Sequence, residues 1–182
     1  MASRHQEFLD AGARVVSISV DSVGQHAAIV ASLQLPFPVL SDPDRSLAIE
    51  PYGVADPDDL RNLARPAMIL VDGEGNEAFR FVSRDYADRL PEHDVLEVVQ
   101  GLGLGPTSQQ APTPGVPEPG KRAMPLDGLP YYLKGARFAV QALGLRHREL
   151  GAEFKADAKA YVAEMDRYIE AVQELRNSLA QD

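Results

Sequence analysis

Residues 65–82, Arg-Pro-Ala-Met-Ile-Leu-Val-Asp-Gly-Glu-Gly-Asn-Glu-Ala-Phe-Arg-Phe-Val, constrain the fold more than any other stretch. Residues 67–71 form an apolar run too short for a helix and closed by turn residues, which reads as a strand buried on both faces. Asp72, Gly73, Gly75 and Asn76 supply the positive φ angles and local side-chain hydrogen bonds of a tight reversal. Ala78, Phe79, Phe81 and Val82 then return as a second strand, with Arg80 as its polar interruption. The product is a β-hairpin entered through an Arg-Pro step. Pro66 removes a backbone donor where no ladder bond is yet needed, and an X-Pro bond is where a cis peptide can arise. Taken alone, an ordinary strand-start proline explains it better.

The order upstream gives the hairpin its setting. Residues 2–11 read as the end of a helix, with Phe8 and Leu9 on its apolar side and Gly12 as the left-handed stop. Residues 14–21 alternate β-branched with small polar residues and predict a strand. Ser22 is placed as an N-cap, and Ala27, Ala28, Val30, Ala31 and Leu33 give the apolar side of a helix ending near Gln34. Residues 36–40 predict a short strand whose two prolines put it near a sheet edge. Ser41-Asp42-Pro43 opens a third expected helix, with Leu47, Ala48 and Tyr52 facing inward. After a polar connection (53–64), the hairpin and a polar segment (84–89), residues 91–102 predict an amphipathic helix through Val95, Leu96, Val98 and Val99.

Alternating βα units followed by a hairpin and a closing helix predict an α/β thioredoxin-like sandwich over residues 1–102. At 182 residues and 45% hydrophobic, the chain can bury one good core and carry a second small unit. Its 18 basic and 27 acidic residues give a net charge of −9, which disfavours nucleic-acid and anionic-membrane partners. The first residues lack the apolar core of a signal peptide, and the cytoplasm is the expected location. With no cysteine, disulfides, thiolate metal sites and thiol catalysis by this chain unaided are excluded.

Other polar groups nominate no metal or cofactor. Asp56, Asp58 and Asp59 have no histidine at ligand spacing and read as a solvated loop or helix start. Asp72, Glu74 and Asn76 resemble a calcium loop only in part, because Glu77 and Ser83 occupy its glycine-six and glutamate-twelve positions. His5, His26, His93 and His147 stand alone in sequence and suit surface or helix-end roles.

A family resemblance is carried by Ala-Gly-Ala-Arg-Val-Val-Ser-Ile-Ser-Val-Asp-Ser, Leu-Pro-Phe-Pro-Val-Leu-Ser-Asp-Pro-Asp, Tyr-Gly-Val, Arg-Pro-Ala-Met-Ile-Leu-Val-Asp-Gly-Glu-Gly and Arg-Phe-Val-Ser-Arg-Asp-Tyr-Ala-Asp-Arg. In this order, over roughly the first hundred residues, they resemble the redoxins of the alkyl hydroperoxide reductase C and thiol-specific antioxidant family. The resemblance implies a peroxiredoxin-like antioxidant oxidoreductase, with Pro66 at the position of a cis-proline facing the active site. Arg65 is then the only residue that could inherit the arginine that stabilises a peroxidatic thiolate. It also implies a preceding central strand that delivers a reactive cysteine to the first long helix. Both are missing, so Arg65 and Pro66 are vestigial candidates and the chain is expected to be inactive as a peroxidase or disulfide reductase. The missing strand would lie between those of residues 15–20 and 67–71. Either these two close up directly, or another segment fills the gap, or the sequence is a part of a longer one.

Residues 103–121 are a Pro/Gly-rich linker without the strand and helix that would make its Gly-x-Gly-x-Gly a nucleotide fingerprint. Residues 122–182 predict an α-helical hairpin. In its first helix Leu133, Ala136, Phe138, Val140 and Leu143 are the apolar positions. In its second, Phe154, Ala158, Tyr161, Met165, Tyr168, Val172, Leu175 and Leu179 follow a heptad seam. That seam either covers its own neighbours or, through residues 129–179, makes a homo-oligomer or receives a helical partner. The alternative function is therefore a non-catalytic interaction or oligomerisation module with a coiled-coil-like arm.

Overall fold

The computed structural model describes residues 1–83 and 90–180, so the polar segment expected at 84–89 lies outside the described residues. The chain divides into two compact units, Met1–Gly120 and Lys121–Asp182.

In the first unit a single 3-10 turn leads into α1 (His5–Asp10), which stops at Gly12 with φ +90°. A side chain at Gly12 would also fail on space, because its Cβ would lie 2.6 Å from Leu104 Cβ. Strand β1 (Ser17–Ser19) is shorter than the predicted run. Helix α2 (Val23–Leu33) begins at Ser22, which closes a reciprocal capping box with Gln25. It ends at Gln34 in the left-handed conformation. Strand β2 (Val39–Ser41) lies parallel to β1, with Ser17 opposite Val39 and Ser19 opposite Ser41.

The third helix expected from Ser41-Asp42-Pro43 does not form; the chain runs through consecutive turns instead. Asp42 is the reason. Its carboxylate is 1% exposed and accepts the backbone N–H groups of Leu47, Ala48 and Ile49 at 3.1, 2.9 and 2.9 Å. Arg45 at φ 67° breaks the helical path between them. The apolar groups turned inward are Ile49 and Val54, whereas Leu47 and Tyr52 are exposed.

Strands β3 (Ala67–Val71) and β4 (Glu77–Val82) form the predicted antiparallel hairpin, with Ala67 opposite Val82, Leu70 opposite Phe79 and a bulge between Leu70 and Val71. Contrary to the expectation for an interior strand, β3 exposes both of its ends. Among the described residues its sheet has two strands, as does that of β1 and β2. The first unit is thus a mixed α/β assembly with two small sheets, and direct closure of β1 on β3 is not what forms.

Backbone polarity identifies the edges left over. Ser17 donates to Pro38, and Ser19 accepts from Asp42, so alternation turns Val16 and Ile18 away from β2. Pro66 accepts from Ser83, so Ala67 and Ile69 turn away from β4. Among the described residues neither edge pairs with another strand.

Helix α3 (Glu92–Gly101) brings the unit together. It buries Val95, Leu96 and Val99 in one cluster with Phe8, Val15 and Phe37, against which Met68, Leu70 and Phe79 pack. Residues 103–120 have no regular structure, as their composition predicts, yet they do not hang free. Thr107 donates to Leu9 at 2.8 Å and Glu118 donates to Gly24 at 2.9 Å.

The second unit pairs α4 (Leu129–Arg146) with α5 (Ala152–Leu179). Arg137 meets Asp166 at 2.5 Å and Arg176 meets Asp127 at 3.0 Å, a pattern that makes the two helices antiparallel. Leu133 of α4 and Met165 of α5 are buried. The α5 heptad positions from Phe154 to Leu179 are its more covered ones, Tyr168 excepted, and α4 is the element packed on α5. Phe138 and Leu143, expected on the inner side of α4, are exposed; Leu133, Ala136 and Val140 occupy that side.

Two outcomes follow for the first unit. Leu96→Ala should cost about 2–5 kcal/mol, read as lost hydrogen-exchange protection of α3 and α1 amides, because the leucine fills the cluster the two helices share. Burial pushes the Asp42 carboxyl up, but the three backbone donors outweigh it and hold its pKa below the ordinary range. A depressed folded-state pKa stabilises above about pH 3.9 and is lost as pH falls through the folded value. Asp42→Asn should therefore lower the Tm by several degrees at pH 7, with the difference shrinking below about pH 3.9.

Candidate functional site

The two residues nominated by sequence sit at the entrance of β3. The Arg65 backbone N–H donates to Val54 at 2.8 Å and the Pro66 carbonyl accepts from Ser83 at 2.8 Å, which anchors the step on both sides. No peptide bond among the described residues is cis, so Pro66 lacks the geometry that the family resemblance implies. The Arg65 guanidinium lies 3.9 Å from Asp56 and 3.9 Å from Asp58. Its side chain is 40% exposed. These are loose, water-screened pairs, and they direct the cation toward its own loop.

The aspartates around it are likewise satisfied locally. Asp59 grips Arg61 through the backbone N–H at 2.7 Å, Nε at 3.0 Å and a terminal nitrogen at 2.6 Å. That guanidinium holds the Asp59 carboxyl down to about 2. Asp72 accepts from the Glu74 and Asn76 backbones at 2.9 and 2.8 Å, closing the hairpin turn on itself; with the Asn76 side-chain amide foremost, these bonds lower its pKa. Carboxylates committed to neighbouring donors do not converge on a cation, and among the described residues no group of three acidic or histidine side chains is placed to hold one.

Two polar clusters escaped the sequence reading. His26, expected at a surface or helix end, is buried on α2, its Nε2 2.8 Å from the Ser19 hydroxyl at the end of β1. Ser19 Oγ in turn donates to Asp21 at 2.8 Å. A hydroxyl that gives its proton to Asp21 accepts from the imidazole, so the network assigns the proton of His26 to Nε2. Nucleophile activation needs the reverse, a bare nitrogen facing the hydroxyl and a carboxylate behind the ring. Here the carboxylate holds the serine, and among the described residues His26 Nδ1 has no hydrogen-bond partner. The cluster ties β1 to α2 and activates nothing.

His5 is the second correction, being buried on α1 against Phe37 with ring centroids 5.8 Å apart. Its Nε2 is 3.0 Å from the Gln109 side-chain oxygen. The Gln109 amide also accepts from the Val15 backbone N–H at 3.0 Å and donates to the Val15 carbonyl at 2.7 Å. One side chain thus satisfies both backbone groups of Val15, two residues before β1 begins. No one-dimensional signal joins residues 94 apart. His93 and His147 take the expected places, beside Asp94 at 2.8 Å and at the end of α4 beside Glu149 at 3.0 Å.

With no cysteine in 182 residues, none of these groups supplies a thiolate. The hydroxyl of Ser19 is no substitute, because at neutral pH it stays protonated without a base to take its proton. Among the described residues no helix is long and apolar enough to cross a membrane.

Comparison with curated proteins yields no match for the chain. A scan against family models matches residues 1–77 to the AhpC/TSA family. The matched span runs from α1 through the turn of the β3–β4 hairpin and includes Arg65 and Pro66. Over residues 1–77 the chain is thus similar to the AhpC/TSA family of redoxins, in a sequence that contains no cysteine.

Proposed function

We propose that the Met1–Gly120 unit is a thioredoxin-like redoxin domain with an open strand position between β1 and β3, and that this chain has no peroxidase or disulfide-reductase activity of its own. The observation that carries the reading is the conjunction of the family match over residues 1–77 with a composition free of cysteine. Hydroperoxide reduction in such a scaffold begins with attack of a thiolate on the peroxide O–O bond. Its pKa is lowered by a helix N-terminus and a nearby cation. Arg65 retains the cation without the anion it would serve, and its loose pairs with Asp56 and Asp58 fit a vestige. A cytoplasmic location belongs to the same reading.

The strand arrangement supports the thioredoxin-like part. In that layout the absent strand separates the strand after the first helix from the strand of the Arg-Pro step, and these are β1 and β3. Each of them has one ladder edge used and one unused among the described residues.

Purified chain incubated with hydrogen peroxide or an alkyl hydroperoxide and excess dithiothreitol should consume peroxide no faster than protein-free buffer. Protein-dependent turnover would overturn the assignment. The open position has its own test: the amides of Val16, Ile18, Ala67 and Ile69 should exchange with solvent far faster than those of Ser17, Met68 and Leu70. Equal protection on both sides of β1 and β3 would mean that the position is filled.

A further inference from the structure

The Pro/Gly-rich stretch that follows α3 has a fixed path. Pro112, Pro114, Pro117 and Pro119 each lock their own φ at about −65°, and each disfavours the helical region for the residue before it, Ala111, Thr113, Val116 or Glu118. Of residues 111–119 only Gly115 escapes both restrictions, and it does not take a positive φ. The chain accordingly makes no turn or bend between Leu104 and Gly120. Among the described residues no main-chain group of residues 110–117 is hydrogen-bonded to another main-chain group. Extended, proline-rich and without a ladder, the stretch is a polyproline II segment of about three residues per turn. That period sorts its side chains. Gln109, Pro112, Gly115 and Glu118 share the edge turned to the first unit: Gln109 holds Val15, Pro112 is half-buried, and a Cβ added to Gly24 would lie 2.7 Å from that of Glu118. Ala111, Pro114 and Pro117 form the second edge and Thr113, Val116 and Pro119 the third, all of them exposed, Val116 at 77%. A Cβ added at Gly115 would meet nothing within 4 Å, so the middle of the segment stands clear of the domain.

We infer that residues 113–117, Thr-Pro-Gly-Val-Pro, are a docking segment for a protein domain that reads polyproline II helices through a groove lined with aromatic rings. Such a groove takes two x-Pro pairs one turn apart, with the proline rings flat on aromatic faces and the free carbonyls accepting from its Trp or Tyr donors. Thr113-Pro114 and Val116-Pro117 are two such pairs, and they stand on the two edges that face solvent. The conformation a groove of this kind requires is present before any partner arrives. Proline rings restrict the backbone, and the segment is tied at both ends, by Gln109 on Val15 and by the Glu118 N–H on the Gly24 carbonyl at 2.9 Å. Less ordering entropy is then lost on docking. No charged side chain stands on either outer edge, so the partner surface that fits is apolar and aromatic rather than ionic. The inference stands apart from the redoxin reading, because residues 113–117 lie outside the matched span 1–77.

The isotope-labelled full chain, followed by amide NMR, is titrated separately with a purified SH3 domain, WW domain and EVH1 domain, each to about 1 mM. At least one of them should give saturable shifts confined to the non-proline amides of residues 110–118. Pro114→Ala combined with Pro117→Ala should abolish those shifts with helical circular dichroism unchanged, whereas Pro106→Ala, outside the paired prolines, should leave them as in the wild type. Four results would overturn the inference: no shift with any of the three domains, shifts that survive the double substitution, equal loss with Pro106→Ala, or shifts centred elsewhere in the chain. The first of these is what a rigid spacer without a partner gives.

Discussion

The first unit depends on the apolar face of α3. Two-stranded sheets are marginal in water unless another element covers them, and among its described residues this unit has two of them with no shared ladder. Val95, Leu96 and Val99 supply the cover, meeting Phe8 of α1, Val15 before β1 and Phe37 before β2 in one cluster. Met68, Leu70 and Phe79 of the hairpin pack on the same cluster, so both sheets are joined through side chains where they are not joined through hydrogen bonds. The N-terminal amine adds a polar tie, 3.0 Å from Glu92 in the first turn of α3.

Around that cluster the backbone is completed by side chains acting as substitute main chain. Gln109 presents an amide to Val15 and acts as a one-residue strand, while its oxygen also receives His5. Asp42 gathers three N–H groups that a helix would have paired internally. Ser19 and His26 join the end of β1 to the first turns of α2. Each arrangement answers the same requirement, that a buried donor or acceptor find a partner. This is how residues 103–120, with no regular structure, come to be part of the first unit.

Chemistry and scaffold are separable here. Arg65 and Pro66 stand at the entrance of β3, where the chain supplies a cation and a proline. Thiol chemistry needs sulfur, and no arrangement of oxygen and nitrogen side chains replaces its ease of deprotonation and oxidation. Arg65 faces carboxylates 3.9 Å away, and Ser19, the hydroxyl beside a buried imidazole, is bound in the orientation that does not activate it.

Features written in local chemistry were legible from the sequence alone. The β3–β4 reversal lies in Asp72, Gly75 and Asn76, the start of α2 in Ser22, the buried side of α3 in its apolar spacing, and the helical pair in the repeats of α4 and α5. The absence of cysteine needed only composition. Tertiary structure alone decided the rest. Asp42 could cap a helix or collect a turn, and the choice fell to a buried carboxylate that needed three donors at once. His5 and His26 became interior groups because Gln109 and Ser19 reached them, and the apolar residues of α4 divided between α5 and solvent only once the two helices had met. Local signals act within a few residues, where chain geometry already sets the distance. Burial and long-range hydrogen bonds join residues whose separation only the folded chain determines.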